Sequence, residues 1–224
     1  MNTRILTAQR ALHLSVLILF WIPVIFLSLL LVCNTIPYFS FETDFAFLQD
    51  RMTLYSKVIW RWCFYIHIAA GSFCILAAVV QFSSWILKKH KKIHKIAGKI
   101  YVFVVLLPGA PTGFYMTFFA EGGWAERGCF MFMAIFWFYS TYKGFIAAAR
   151  ERNFLAHKFW MIRSYAMALT AVTFRIYHII FFHMGMEHLQ NYSIALWISV
   201  IGNALVAEAI IYNRSKNYLK TLAV

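Results

Sequence analysis

From His13 to Cys33 the chain reads HLSVLILFWIPVIFLSLLLVC, with no Asp, Glu, Lys or Arg anywhere in the run. A helix needs about 20 such residues to cross roughly 30 Å of hydrocarbon, so this run limits the fold more than any other feature. Arg4 and Arg10 ahead of it form a basic leader, as in a secretory signal. The apolar part is too long for a signal and no small-residue cleavage site follows it, which predicts an uncleaved first span. Further apolar runs predict spans at 58–87, 96–119, 128–149, 158–182 and 193–212. Lipid offers the backbone no hydrogen bonds, so each span must satisfy its own as a helix. The expected fold is all-α: an integral membrane bundle of six transmembrane helices, with residues 1–224 in a single transmembrane domain. Pro23, Pro108 and Pro111 fall inside spans, where proline is tolerated as a kink.

Charge supplies the orientation. Only 13% of the residues are charged, where a soluble domain carries about a quarter, yet the net charge is +13. Of the 21 Lys and Arg residues, all but Arg51, Lys57, Arg61, Arg127 and Arg175 fall at one end of the expected bundle. Glu42, Asp44, Asp50, Glu121, Glu126 and Glu187 fall at the other. The Lys and Arg bias sets topology, which predicts that both termini are cytoplasmic. The stretch KKHKKIHKIAGKIY, residues 88–101, is then a cytoplasmic turn between spans whose lysines attract anionic lipid. A nucleic-acid site would want a groove-entering helix or stacking aromatics beside its charge. Here the charge is divided among short loops, so no nucleic-acid partner is expected. Cys33, Cys63, Cys74 and Cys129 form no C-x-x-C pair, so neither a zinc site nor a redox dithiol is signalled.

Ionisable groups inside a bilayer are costly, and each raises a functional hypothesis with a partner. On the fifth span His157, Ser164, Ala168, Ala171, Arg175 and His178 recur at steps of three and four, a seam of small and polar residues expected to face protein. Glu208 is the only acid within an expected span, and Arg163 lies at its depth, so a structural ion pair is expected there. Arg175 needs an acceptor: a loop carboxylate, backbone carbonyls or an anionic ligand such as a haem propionate. Facing imidazoles are the usual clamp of b-type haem in helical bundles. The candidate iron ligands are His67 with His178 toward the outer face, or His94 with His157 toward the cytoplasmic face. Gly71, four residues after His67, would let a flat macrocycle approach.

The pieces FYIHIAAGSFCILAAVVQF, KKIHKIAGKIYVF, GWAERGCFMFMAIFWFYSTYKGF and HKFWMIRSYAMALTAVTFRIY resemble a family of predicted bacterial multi-pass membrane proteins classed as a domain of unknown function. The resemblance implies a bacterial inner-membrane protein and brings no activity with it. A weaker likeness is to transmembrane di-haem cytochromes b and ferric-reductase-like proteins, in which a span opens with histidine shortly before glycine, here His94 and Gly98. Those families place paired histidines about four turns apart on one helix. His157 and His178 are nearly six turns apart, so the likeness implies one haem site rather than two. Two classes stay open: a haem b electron-transfer protein whose partner is a quinone or another membrane subunit, and a cofactor-free transporter or accessory subunit of a membrane complex.

Overall fold

A computed structural model describes residues 22–222. Arg4, Arg10 and the beginning of the first expected span, 13–21, lie outside these residues. Among the described residues there is no strand, and six helices are long and apolar enough to cross a membrane. They are α1 (22–35, running on as a 3₁₀ helix, Ile36–Ser40), α2 (Val58–Phe82), α3 (Lys91–Thr117), α4 (Trp124–Ala149), α5 (Phe154–His183) and α6 (His188–Leu222).

Local hydrogen bonds set the ends of the helices, and several ends depart from the expected spans. The second helix stops at Phe82, not at 87. Ser83 is extended, and its Oγ accepts from the Ile86 amide at 3.3 Å, starting a separate short helix, Ser84–Lys89. A second break at His90 lets α3 begin at Lys91, so the basic turn is two helical pieces around one residue. At the start of α4 the Glu126 carboxylate takes the Gly123 amide at 2.6 Å and the Ser193 hydroxyl at 2.7 Å. This cap moves the helix start to Trp124 and puts a second acid, besides Glu208, into a spanning helix. Asn153 caps α5 by accepting from the Ala156 amide. Glu187 caps α6 by accepting from the Leu189 and Gln190 amides at 3.0 and 3.1 Å. Those bonds hold the Glu187 carboxyl below its usual range, so the cap is present near neutral pH and lost as pH falls through that lowered value.

α5 is the centre of the bundle, packed against α4 on one side and α6 on the other. Its Ile162, Ser164, Tyr165, Ala166, Met167, Ala168, Thr170 and Val172 are buried. Asn203 of α6 clasps it by donating to the Ala166 carbonyl at 3.1 Å and the Thr173 hydroxyl at 3.0 Å. α2 meets α3 through glycines. α3 widens into a π turn over Val105–Gly109, with Pro108 inside it; Pro108 has no amide to give the helix ladder. A Cβ on Gly109 would lie 3.5 Å from that of Ala70, and one on Gly113 only 2.7 Å from the His67 ring. The pair is a small-xxx-small contact of the kind that draws membrane helices together. α1 buries little of its surface.

Candidate functional site

The polar groups inside the bundle lie at three levels, named here from the basic end, where the lysine-rich turn sits. At that end His157 stands in the first turn of α5 and His94 in the first turn of α3. His157 Nδ1 is 2.8 Å from the Gly144 carbonyl of α4. A carbonyl only accepts, so Nδ1 carries the proton, and in the neutral ring the Nε2 lone pair is left free. His94 Nδ1 is buried with no hydrogen-bond partner among the described residues. The His94 backbone is held by Gln81, whose Nε2 donates to its carbonyl at 2.9 Å. The two imidazoles are close enough to interact electrostatically.

The middle level is a closed polar network among α3, α4 and α5. The Tyr101 and Ser164 hydroxyls are 2.8 Å apart, Ser164 and Thr141 are 2.6 Å apart, and Trp137 Nε1 donates to the Tyr101 oxygen at 3.3 Å. All four residues are buried. A satisfied network of this kind specifies how helices dock. Tyr101→Phe, which strands the indole N–H in the core, is expected to cost about 1–3 kcal/mol. Thermal unfolding in detergent checks it, and an unchanged midpoint would show that the network does not hold these helices together.

At the acidic end His67 repeats the arrangement of His157. Its Nδ1 is 3.0 Å from the Gly109 carbonyl, and its ring lies flush on Gly113. Its Nε2 makes no hydrogen bond with a described residue. Gly71, one turn further along α2, has nothing within 4 Å of where a Cβ would be. Arg175 lies within electrostatic reach of His67 and Tyr38. Of the acceptors expected for it, the guanidinium takes a backbone carbonyl, donating to Ala171 at 2.6 Å and to no other group among the described residues. The seam is buried at Ser164 and Ala168.

His178 has aromatic neighbours on α5 and α6. It stacks on Phe174 at 5.7 Å and meets His188 edge-on at 5.9 Å, with Nδ1 buried and without a hydrogen-bond partner among the described residues. Asn191 Nδ2 of α6 fixes its backbone carbonyl at 2.9 Å. His188 in turn contacts Glu121, which also takes Arg51, so three segments at this end are tied through one carboxylate. His94 and His157 lie within electrostatic reach of each other at the basic end, and His178 has its ring contacts with Phe174 and His188.

Arg163 and Glu208 form a two-pronged ion pair, Nε to Oε1 at 2.5 Å and the second nitrogen to Oε2 at 2.8 Å. The guanidinium also lies 4.8 Å from the centre of the Trp160 ring. Among the described residues no three His, Cys, Asp or Glu side chains gather as a metal cage; an axial pair needs only two ligands.

The glycine acceptors were the part missed in sequence. GAPTG, residues 109–113, carried the signal in its Gly-xxx-Gly spacing, whereas nothing local marked Gly144 as the acceptor for His157.

The family described as "Predicted membrane protein (DUF2306)" matches residues 64–211, well over half of the chain, and the chain belongs to it. No curated protein and no solved structure matches it significantly.

Proposed function

We propose that this multi-pass member of the DUF2306 family is an electron-transfer protein that binds one b-type haem at its basic end, where His94 and His157 would hold the iron. The observation that supports this reading is the His157 ring, whose Nδ1 is held on the Gly144 carbonyl while its Nε2 is left free. Ligating histidines characteristically donate their other ring nitrogen to a carbonyl, which fixes the tautomer and makes the free nitrogen more basic. His157 does this through Gly144. A buried His94 nitrogen without a partner is a cost that a ligand removes. The donor types therefore fit, being two imidazoles from two helices within electrostatic reach of each other. When bound, haem would supply one-electron redox chemistry. The chain's own part is to orient the two rings, exclude water behind Tyr101 and Trp137, and present the site near one membrane face.

In this reading the basic end is cytoplasmic, as the Lys and Arg distribution predicts for a bacterial inner membrane. The electron partner is a quinone or another membrane subunit. The test is the visible spectrum of the purified protein, oxidised and then dithionite-reduced, after expression with ample haem. A sharp Soret and α band is expected. A colourless protein would overturn the reading and leave the cofactor-free transporter or accessory subunit in its place.

A further inference from the structure

At the acidic end a cavity of about 220 Å³ is lined by Phe41, Tyr55, Arg61, Trp62 and Tyr65. Arg61, in the first turn of α2, is its only cation. The guanidinium lies 5.5 Å from the Tyr55 ring centre, and no carboxylate among the described residues stands within ion-pair distance of it. Arg51 of the same end, by contrast, is neutralised by Glu121. The Tyr55 and Tyr65 hydroxyls, 3.2 Å apart, add a donor beside Arg61. Phe41 has φ 62°, a left-handed conformation that costs an ordinary residue energy. It thereby carries its ring to within 4.8 Å of Tyr65, closing one wall.

Beside the recess the surface of α2 is apolar. Trp62 is 53% exposed, and Ile59 and Ile66 are exposed beside it on the same face of α2. The cavity is thus a cationic, hydroxyl-lined head-group recess continuous with an apolar stripe running into the membrane. From this geometry we infer a binding site for an anionic phospholipid. Arg61 and the tyrosine pair take the phosphate, and the acyl chains lie along Ile59, Trp62 and Ile66.

Three features select this ligand. A guanidinium without a counter-ion favours an anion, and its fork matches phosphate oxygens. Aromatic rings at a membrane–water boundary suit the junction of head group and chain. The lipid-facing stripe favours a lipid over free phosphate, which has nothing to place there. The site lies at the end opposite His94 and His157, and the inference does not depend on haem.

The experiment titrates the full chain in a neutral detergent with dihexanoyl phosphatidylglycerol, dihexanoyl phosphatidylcholine and inorganic phosphate, reading bound molecules by native mass spectrometry. Saturable binding of one phosphatidylglycerol is expected, weakened about tenfold or more by Arg61→Gln through loss of a charge-assisted contact. Arg61→Lys should restore part of it. Arg127→Gln, at the same end but outside the cavity, should leave binding unchanged. Trp62→Ala should weaken phosphatidylglycerol binding with Arg61 intact, which separates a lipid site from a bare anion site. Equal binding of phosphatidylcholine, or an equal loss with Arg127→Gln, would overturn the site. Inorganic phosphate competing at the same concentration as phosphatidylglycerol would overturn the lipid assignment.

Discussion

Arg163→Ala is expected to destabilise the bundle by about 3–5 kcal/mol, the range for breaking a desolvated ion pair from one side. The variant leaves the Glu208 carboxylate on a membrane-spanning helix without its two donors. The Arg163 side chain is 22% exposed and that of Glu208 52% exposed, but in a bilayer exposure to surroundings at this depth is not exposure to water. For a chain of this length the loss is on the order of 10 °C in Tm. Glu208→Gln should cost less, because the guanidinium it strands already rests on Trp160 and its long stem can reach the basic interface. The double variant Arg163→Met/Glu208→Leu should recover most of the loss, since replacing both partners removes the desolvation cost with the attraction. Lys95→Ala, which removes an exposed charge from the basic turn, is the control. A midpoint for Arg163→Ala equal to that control would show that the pair contributes nothing to folding.

The spans were legible because hydrocarbon thickness turns length and apolarity into structure, whatever the neighbours are. Helix ends were less so, because Ser83, Glu126, Asn153 and Glu187 place them by hydrogen bonds to particular amides. The fifth-span seam is buried at Ser164 and Ala168, whereas Arg175 turns back to the Ala171 carbonyl of its own helix. Periodicity fixes which residues share a face, and not how far the neighbouring helix follows that face. His67 and His178 illustrate the same limit. Both lie toward the acidic end, but the His67 ring is held at the Gly109 carbonyl, whereas that of His178 meets Phe174 and His188. The Arg163–Glu208 pair could be anticipated because a lone acid within the spans has few partners to choose from. The network around Ser164 could not, since the seam marked Ser164 alone and nothing in the spacing of Tyr101, Trp137 and Thr141 on two other helices pointed to it.

The largest expected effect belongs to the histidines. In a haem-loaded preparation, His157→Ala and His94→Ala should each abolish the α band or convert it to a high-spin spectrum, since each removes one of two axial ligands. Neither changes the apolar length of its span, so insertion and helix content by circular dichroism should be preserved, and this separates ligand loss from misfolding. His157→Met should retain haem at an altered reduction potential, because axial ligand identity is one of the protein's levers on the iron. His67→Ala is the comparison that decides the site. His67 shares with His157 a carbonyl-bound Nδ1 and a free Nε2, but the imidazole pair lies at the other end. The spectrum of His67→Ala should therefore match that of the parent. If absorbance is instead lost with His67→Ala and kept with His94→Ala and His157→Ala, the haem belongs beside Arg175 at the acidic end, and the proposed ligand pair is wrong. Loss with all three variants at full helix content would mean that both levels carry a haem and that a single-site reading is too small.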